Sequence, residues 1–409
     1  MRVVFLNQTF HPDVAATAQH AFDLARHLVA HGHEVHAVAS RSLYGERGAS
    51  LPAEETVEGV HIHRVGRSWF GKAGLLARIA DFISFYVASG RRLRTVPRPD
   101  VIVCLTTPPF IALAGLRLRS SVGPKVALWS MDLYPDLPIA CGMTSRRHPV
   151  AMVGRSLDRR CIAGADAIVA LGRCMQDRLI AKGADSRKVA VIGVWSDEVE
   201  MRAGPRDANR FREAWEIGDR MLVMYSGNFG LGHDVDTFLA AAEALRGDDR
   251  IRFAFVGGGK RWAEVERRVE ESDLSNCVLA PYQPRERLGE LVGAGDVHLV
   301  TLRRGVEGIM VPSKFYGVLA ASRPAIYIGG REGEIARTIA EERCGSVIEP
   351  DDAAGLADTL RRYAEDPERR DDEGARGRRS LIEKHSRRVR CEAWRTLLES
   401  MVHDSEPRA

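Results

Sequence analysis

A lysine at the start of a predicted helix is the first residue whose position suggests chemistry. Between two short β-rich runs, 297–302 and 325–328, a glycine-containing loop leads into Pro312-Ser313-Lys314. Proline in the first turn and serine as a cap predict that a helix begins here. Free amides and the positive end of a helix dipole form a site for phosphate. Lys314 either adds charge to such a site or is an ordinary solvated lysine.

A carboxylate follows a predicted strand in the first half of the chain. Residues 126–130, with the sequence VALWS, form the predicted strand, and Asp132 follows it after one methionine in the sequence WSMDLYPD. In open α/β sheets the carboxyl ends of the strands line the ligand crevice, so Asp132 is well placed for chemistry. The alternative is that Asp132 caps the next turn.

The elements that would position these residues are those of an α/β protein. Apolar runs typical of buried parallel strands lie at 1–7, 34–39, 101–105, 126–130, 165–170, 189–195, 221–225, 251–256, 297–302 and 325–328. A chain of 409 residues is long enough for two Rossmann-like domains of doubly wound parallel sheets. We expect domains at 1–195 and 219–385, a polar linker at 196–218, and a C-terminal helix and tail at 386–409.

Composition limits the class of protein. The hydrophobic fraction of 45% and the charged fraction of 28% are typical of soluble globular proteins. No run approaches the ~18–20 apolar residues of a membrane span, and a strand at the N-terminus argues against a signal peptide. Seven scattered cysteines without a CxxC pair predict reduced thiols in the cytoplasm, not a zinc cluster.

Charge is distributed unevenly. Residues 1–200 carry 25 Lys and Arg against 18 Asp and Glu, a net charge of +7, whereas the remainder carries 34 against 37. A basic first half suits an anionic partner such as a membrane surface or a pyrophosphate-bearing acceptor. Nucleic acid is disfavoured because no compact basic run is interleaved with aromatic residues.

Residues 71–95 form an amphipathic helical pattern flanked by Arg78, Arg91, Arg92 and Arg94. This helix is either a basic surface that rests on a membrane or an ordinary helix packed on its sheet. We favour the packed helix, because helices of such domains are amphipathic in any case.

The motif around Lys314 resembles a known family. Glu307-Gly308, followed by VPSKFYGVLAASRP, resembles the C-terminal signature of the retaining nucleotide-sugar glycosyltransferases of family four. It is similar to a bacterial branch with Pro-Ser-Lys at this point, which includes aminosugar transferases of cell-surface polysaccharide assembly. The resemblance covers nearly the whole chain. It implies the GT-B fold: two Rossmann-like domains facing each other across a cleft, with the last helix crossing back to the N-terminal domain.

The resemblance also implies roles for residues. The N-terminal domain would bind the acceptor, with His11, Thr107 and Tyr134 on the acceptor side. Asp132, Glu307 and Lys314 would be catalytic: Asp132 near the reacting sugar, Glu307 on sugar hydroxyls, and Lys314 on the departing phosphate. The residues expected to bind the donor or its nucleotide are Ala16, Thr17, Gly227, Asn228, Gly257, Gly258, Tyr282, Gln283, Pro312, Ser313 and Lys314. Tyr282 would pack near the base or belong to the core.

The chain departs from the family pattern at several points. Relatives usually have Gly-Gly where this chain has Ala15-Ala16, so backbone approach to the donor here requires a negative φ. An arginine and a lysine of the family align with Asn228 and His233. Their absence makes Lys314 more important, with Arg303 or Arg304 as helpers.

The family's ribose-binding glutamate is also missing. Gly317 stands at its position, so Glu334 or a backbone group would have to replace it.

The function implied is transfer of a sugar, possibly an N-acetylated aminosugar, from a UDP-sugar to a lipid-linked glycan or other hydroxyl acceptor. We expect no cofactor and no metal ion, with the leaving phosphate as the base. The expected location is the cytoplasm, with peripheral contact to the inner face of the membrane as an option. The alternatives are a nucleotide-sugar epimerase of the same fold and a non-catalytic nucleotide-sugar-binding subunit. A dehydrogenase is disfavoured, because Gly-x-Gly-x-x-Gly does not follow the first strand.

Overall fold

A computed structural model of the chain describes residues 1–43, 50–66 and 75–403, without the side chains of residues 75–78 and 119–122. The chain divides into two compact units. The first comprises residues 1–193 and 390–409, and the second comprises residues 194–389. Each unit is built on one largely parallel sheet whose strands alternate with helices. Two Rossmann-like domains were predicted, and this architecture is confirmed.

The first unit contains an eight-stranded sheet within its described residues. Its strands are β1 (Arg2–Leu6), β2 (Glu34–Ser40), β3 (Glu54–Val57), β4 (Val60–Val65), β5 (Val101–Cys104), β6 (Lys125–Ser130), β7 (Ala167–Ala170) and β8 (Val189–Val191). Its helices up to residue 193 are α1 (Ala16–Ala30), α2 (Leu75–Arg92), α3 (Ala112–Val122), α4 (Asp136–Ala140), α5 (Pro149–Gly164) and α6 (Arg173–Ala181). The strand order is β3-β4-β2-β1-β5-β6-β7-β8. The carboxyl ends of β1, β5 and β6 are therefore neighbours.

The hairpin of β3 and β4 was not predicted. Strand β3 is antiparallel to β4, whereas β4 is parallel to β2. In β4, buried Val60, Ile62 and Arg64 alternate with the more exposed His61 and His63. Such a strand carries polar residues at every second position, so it lacks the continuous apolar run of a central parallel strand.

Helix α2 covers most of the amphipathic segment 71–95. Residues 71–74 and the side chains of 75–78 lie outside the described parts of the chain. Over the remainder, Phe85 and Ser89 are buried, while Ile83 and Val87 are 59% and 46% exposed. The helix therefore packs on one face and leaves apolar side chains on the other. Among the described helices, none combines the length and apolar character needed to cross a bilayer.

The last helix, α15 (Arg387–His403), returns to the first unit as predicted. Its Trp394 is fully buried, and the ring centroids of Trp394 and Trp129 lie 4.5 Å apart. Leu398 is buried on the same helix, and Leu397 is partly buried. The aromatic contact with β6 anchors the helix beside the sheet.

The second unit contains a six-stranded parallel sheet. Its strands are β9 (Met221–Asn228), β10 (Ile251–Gly258), β11 (Cys277–Ala280), β12 (Val297–Thr301), β13 (Ala325–Ile328) and β14 (Gly345–Ile348), in the order β11-β10-β9-β12-β13-β14. Its helices are α7 (Arg210–Ala214), α8 (Asp236–Ala244), α9 (Trp262–Glu271), α10 (Leu288–Ala294), α11 (Lys314–Ala320), α12 (Glu334–Glu342), α13 (Ala353–Glu365) and α14 (Pro367–Ser380). Between α14 and α15 lies a π-helical turn, Leu381–His385.

The segment 196–218 was expected to be a polar linker. It belongs to the second unit, where Phe211 and Ile217 are buried in the core. The guanidinium of Arg212 is buried, with Nη1 2.9 Å from Asp296 Oδ2, and it also donates to the carbonyls of Ala294 and Gly218. By its local sequence, Arg212 is expected to be an exposed charged residue. Its burial could not be foreseen locally, because the acid that pairs with it, Asp296, lies 84 residues further along the chain.

Candidate active site

In the first unit, buried Asn7 joins the loops that follow β1 and β5. Its side-chain amide donates to the carbonyl of Thr9 at 2.7 Å, and its Oδ1 accepts from the backbone amide of Thr107 at 3.2 Å. The carbonyl of Thr107 in turn accepts from the amide of Gln8 at 2.6 Å. Thr107, expected on the acceptor side, is thus held through its backbone. Asn7 was not identified from the sequence, although it directly follows the first strand.

The loop after β1 leads into α1, which begins at Ala16. Ala15 precedes the helix with φ −60°, so the alanines in place of Gly-Gly adopt an ordinary conformation. The Oγ1 atoms of Thr17 and Thr9 lie 3.1 Å apart. The predicted donor residues Ala16 and Thr17 therefore stand at the first turn of α1. Ala16 is exposed, and Thr17 is partly buried.

His11 lies in the same loop and packs on α1. Its imidazole stacks on the ring of Phe22, with centroids 4.3 Å apart, and burial lowers its pKa. The carbonyl of His11 accepts from the Arg64 guanidinium at 2.8 Å. His11 is therefore a neutral side chain at the carboxyl edge of the sheet near pH 7.

Asp132 follows β6 by two residues and lines a small pocket of the first unit together with Thr106, Ser130 and Tyr134. Its backbone amide donates to Thr106 Oγ1 at 3.3 Å. Its carboxylate accepts no hydrogen bond within the described parts of the chain. Burial raises the pKa of the Asp132 carboxyl to about 6. A carboxyl group with this pKa can gain or lose a proton near neutral pH.

The alternative that Asp132 caps the next turn finds no support, because no backbone amide of the described residues donates to its carboxylate. The next helix, α4, begins at Asp136, and the residue before it is Pro135, which makes no side-chain capping bond. Asp136 is instead paired with Lys182, whose Nζ also lies 2.6 Å from Asp158. The two neighbouring acids thus share a cation, whereas Asp132 has no cationic partner among the described residues.

In the second unit, glycines bring the ends of β9 and β10 close together. Gly227 and Gly257 are paired across the two strands and have φ values of 128° and 141°. A Cβ at Gly257 would lie 2.0 Å from the carbonyl oxygen of Gly227. Only glycine fits this approach. The next pair, Gly258 and exposed Asn228, completes an edge with little side-chain bulk.

Lys314, the first residue of α11, extends towards this edge. Its Nζ lies 3.4 Å from the centroid of the Tyr225 ring, and it would lie 3.3 Å from a Cβ at Gly227. The Nζ atom is buried and has no hydrogen-bond partner among the described residues. Burial lowers the pKa of Lys314 well below its usual value. The Tyr225 ring face attracts a cation, but an ammonium in this position still lacks an anion.

His233 is near Lys314 but adds no charge. Its Nδ1 donates to the carbonyl of Thr301 at 2.7 Å. Burial, and then the charge of Lys314, lowers the pKa of His233 to about 3, so the imidazole is neutral at pH 7. Tyr225 OH donates to the carbonyl of Asn228 at 3.0 Å. The cationic group at this point is therefore Lys314.

The helix start around Lys314 differs from the expectation in one respect. Ser313 stands at the cap position of α11 but makes no side-chain capping bond, and Pro312 is buried. The predicted cap is therefore wrong. Helix α11 has seven residues, so its dipole is that of two turns only.

Glu307 is held by the backbone of two loops. Its Oε2 accepts from the amide of Gly305 at 2.7 Å, and its Oε1 accepts from the amide of Gly330 at 3.0 Å. These bonds fix the carboxylate between the loops that follow β12 and β13. Gly317 and Glu334 are both partly exposed, and Glu334 begins α12.

The two arginines after β12 have other contacts. Arg303 donates from its backbone amide to the carbonyl of Gly232 at 2.9 Å, and its Nη1 lies 3.4 Å from the carbonyl of Leu231. Arg304 Nη1 lies 3.8 Å from Glu349 Oε2. Arg303 therefore contacts the loop at residues 231–232, which follows β9, whereas Arg304 faces Glu349.

Tyr282 lies on the surface, so the interpretation as a core residue is wrong. Its side chain is 60% exposed, and its hydroxyl donates to the carbonyl of Gly258 at 3.1 Å. A Cβ at Gly258 would lie 3.0 Å from the Tyr282 ring. Gln283 donates to the carbonyl of Pro281 at 3.0 Å. The ring covers the glycine edge at the end of β10 and leaves one surface open.

Comparison with known proteins identifies the two units. Residues 16–195 match the family described as glycosyl transferase 4-like domain, and residues 207–380 match glycosyl transferases group 1. A putative colanic acid biosynthesis glycosyl transferase of Escherichia coli (strain K12) is 25% identical over 338 residues, covering 80% of this chain and 83% of that protein.

Two solved structures support the same fold. Sucrose-phosphate synthase from Thermosynechococcus elongatus has a TM-score of 0.77 at 15% identity, covering 99% of this chain and 100% of that one. Anabaena HepE in complex with UDP has a TM-score of 0.73 at 12% identity, covering 98% and 100%. With a glycosyl transferase 4-like domain followed by a group 1 domain on two Rossmann-like folds, the chain belongs to the GT-B glycosyltransferases and is a glycosyltransferase enzyme.

Proposed function

We propose that this glycosyltransferase moves an N-acetylated aminosugar from a UDP-linked donor to a hydroxyl of a lipid-linked glycan, with retention of anomeric configuration. The observation that carries the donor assignment is the buried Nζ of Lys314, which has no hydrogen-bond partner in the described residues. A diphosphate supplies the anion that this ammonium lacks. The glycine edge of Gly227 and Gly257 lets backbone amides approach the same phosphate.

The chemistry assigns a separate task to each group. The bond between the anomeric carbon and the β-phosphate oxygen breaks, and its electron pair stays on the phosphate. The acceptor oxygen forms the new bond on the same face, and its proton passes to the departing phosphate. Lys314 stabilises the negative charge that develops there, and this lowers the barrier because the charge is greatest in the transition state.

Asp132 and Glu307 orient the reacting sugars. In this proposal the Asp132 carboxylate accepts a hydrogen bond from the acceptor hydroxyl, because its oxygens are unoccupied in the described parts of the chain. Glu307, fixed by two backbone amides, accepts from hydroxyls of the donor sugar. Tyr282 offers its open ring surface to the uracil base. The reaction as written requires no metal ion.

A lipid-linked acceptor agrees with the surface of the first unit. Four apolar side chains at or just before the start of α5 are more than half exposed: Met143, Val150, Met152 and Val153. Arg146 and Arg147 lie between them, and residues 137–157 contain no acid. Exposed apolar and basic groups together favour contact with an anionic membrane. The E. coli relative, named for colanic acid biosynthesis, is consistent with a role in polysaccharide assembly.

The test is a donor screen with product analysis. The purified protein is incubated with labelled UDP- and GDP-sugars, with and without lipid-linked acceptor glycans, and the product linkage is determined by NMR. We expect acceptor-dependent UDP release and an α-linked product from an α-linked UDP-N-acetylaminosugar. A β-linked product would refute retention, and exclusive use of GDP-sugars would refute the donor. Conversion of the UDP-sugar without acceptor would indicate an epimerase, and binding without turnover would indicate a binding subunit.

A further inference from the structure

Two histidines and a glutamate converge at the end of α1 that lies away from the strand-end loops. His27 and His31 are one turn apart on α1, with ring centroids 4.2 Å apart, and Glu392 faces them from α15. His27 Nε2 lies 3.2 Å from Glu392 Oε2, and one ligand atom of each of the three residues lies within 4.8 Å of the others. Eleven residues separate His27 from Ala16, about 16 Å along the helix. The cluster therefore lies far from Ala16 and Thr17 at the first turn of α1.

The imidazoles are arranged as metal ligands usually are. His31 Nδ1 donates to the carbonyl of His27 at 2.8 Å, which leaves its Nε2 with a free lone pair. Metal-binding histidines commonly donate their second nitrogen to a backbone carbonyl in this way.

The distances suit a tetrahedral ion after a small movement. Zinc binds imidazole nitrogen at about 2.0–2.1 Å and carboxylate oxygen at about 2.0–2.2 Å, so two ligands of one ion lie roughly 3.4 Å apart. The 3.2 Å between His27 and Glu392 already meets this separation. His31 is exposed, so its imidazole can move the remaining distance without disturbing the core.

The charges around the cluster also suit a cation. Arg395 donates to both oxygens of Glu392, from Nε at 3.0 Å and from Nη2, and its Nη1 donates to Glu399 at 2.7 Å. Two carboxylates therefore surround one guanidinium, and these three groups together carry a net charge of −1. His33 Nε2 lies 3.1 Å from Glu399 and completes the groups that face this surface. Arg395 thus orients Glu392 without cancelling the attraction for a dication.

We propose that His27, His31 and Glu392 bind one divalent transition-metal ion, Zn²⁺, with water in the remaining position. Imidazole and carboxylate ligands favour zinc over magnesium, which prefers oxygen ligands in octahedral geometry. The ion would join α1 to α15 inside the first unit and so hold the returning helix in place. Its role is structural and separate from the transfer reaction.

The test uses the full chain and the metal ions alone. Co²⁺ is titrated while visible absorption is recorded, and Zn²⁺ affinity is measured by competition with a chromophoric chelator. We expect one ion per chain, a tetrahedral cobalt spectrum without a sulfur charge-transfer band, and no competition by Mg²⁺. His31→Gln should weaken Zn²⁺ binding by at least tenfold, because even second-shell changes weaken metal sites by about 10- to 100-fold.

His403→Gln is the matched control, because His403 is an exposed histidine on α15 outside the cluster. It should bind Zn²⁺ as the parent does. His31→Gln keeps the bond between His27 and Glu392, so its melting temperature without metal should equal that of the parent. Zinc should raise the melting temperature of the parent but not of His31→Gln. Equal affinity in all three proteins, a thiolate band from one of the seven cysteines, or no binding in competition with the chelator would overturn the proposal.

Discussion

Replacing Lys314 by methionine separates the charge of this side chain from its packing. Methionine keeps a long, flexible side chain that can lie over the Tyr225 ring, but it carries no charge. In the free protein the Lys314 Nζ is buried, without a hydrogen-bond partner in the described residues. An unpaired buried ammonium costs free energy. We therefore expect Lys314→Met to be at least as stable as the parent while it binds UDP more weakly.

The size of the loss follows from the missing contact. A hydrogen bond between a charged donor and a phosphate contributes roughly 1.5–3 kcal/mol, or about a 10- to 150-fold change in dissociation constant. The same contact changes protonation. Burial lowers the pKa of Lys314 in the free protein, and a diphosphate beside it raises the pKa again. Between these two pKa values the complex binds more protons than the free protein, so UDP affinity should increase as pH falls.

The assay is calorimetry at pH 8 in two buffers that differ in ionisation enthalpy, combined with thermal unfolding in the absence of UDP. The parent should take up a fraction of a proton on binding UDP, and Lys314→Met should take up none. Lys384→Met is the matched control, because Lys384 is an exposed lysine of the same unit paired with Glu342. It should bind UDP as the parent does.

Three results would refute the reasoning. Unchanged UDP affinity in Lys314→Met would remove Lys314 from the donor site. Equal proton uptake by the parent and the variant would show that Lys314 does not titrate with the phosphate. Weaker binding together with a lower melting temperature would assign Lys314 to packing instead.

Three further predictions concern the other proposed contacts. Asp132→Asn should leave UDP binding nearly unchanged and slow transfer by roughly 100-fold, and transfer within a few-fold of the parent at equal thermal stability would remove Asp132 from the reaction. Because the pKa of Asp132 is raised to about 6, transfer by the parent should fall as pH drops through 6, and Asp132→Asn should lack this decline. Tyr282→Ala should weaken UDP binding by about 1–3 kcal/mol if the ring stacks on the base, whereas Tyr282→Phe should bind UDP as the parent does. Equal UDP affinity of the parent and both variants by calorimetry would exclude the contact. The parent should sediment with anionic vesicles at low salt and dissociate as the salt concentration rises. The double substitution Met152→Ser and Val153→Ser should reduce this sedimentation. Val199→Ser, a control at another exposed apolar residue, should not reduce it. Absence of vesicle binding at low salt would argue against membrane contact.

The sequence was a reliable guide to elements buried on both faces. Strands β1 and β13 are continuous apolar runs, and residues 325–328 are fully buried as predicted. Elements stabilised by distant partners were not recognised. Segment 196–218 has a polar sequence, and the burial of its Arg212 depends on the ion pair with Asp296. Strand β4 alternates polar and apolar residues beside an edge strand, so it lacks the apolar run of a central strand. For segment 196–218 the deciding contact is long-range, so no local pattern reports it.

The distinction between what a local sequence pattern shows and what only distant contacts determine also applies to the candidate site. The position of Asp132 after a strand follows from the strand pattern, but its raised pKa depends on the pocket formed with Thr106 and Tyr134. The backbone bonds that fix Glu307 come from Gly305 and from Gly330. Likewise, the His27 and Glu392 pair spans 365 residues. Chemistry built from separate parts of the chain requires the fold before it can be recognised.

Lys314 illustrates why such a group persists at a cost to the free protein. Its aromatic contact with Tyr225 attracts a cation only weakly compared with the free energy of burying an unpaired ammonium. Neutral His233 supplies no counter-charge. A residue selected for packing alone would be apolar at this position. In the proposed complex a phosphate would remove this local conflict between charge and burial, so the free energy lost in the free protein would be recovered only on donor binding. Such a site discriminates for an anionic donor more sharply than an exposed lysine would, because an exposed lysine is already satisfied by water.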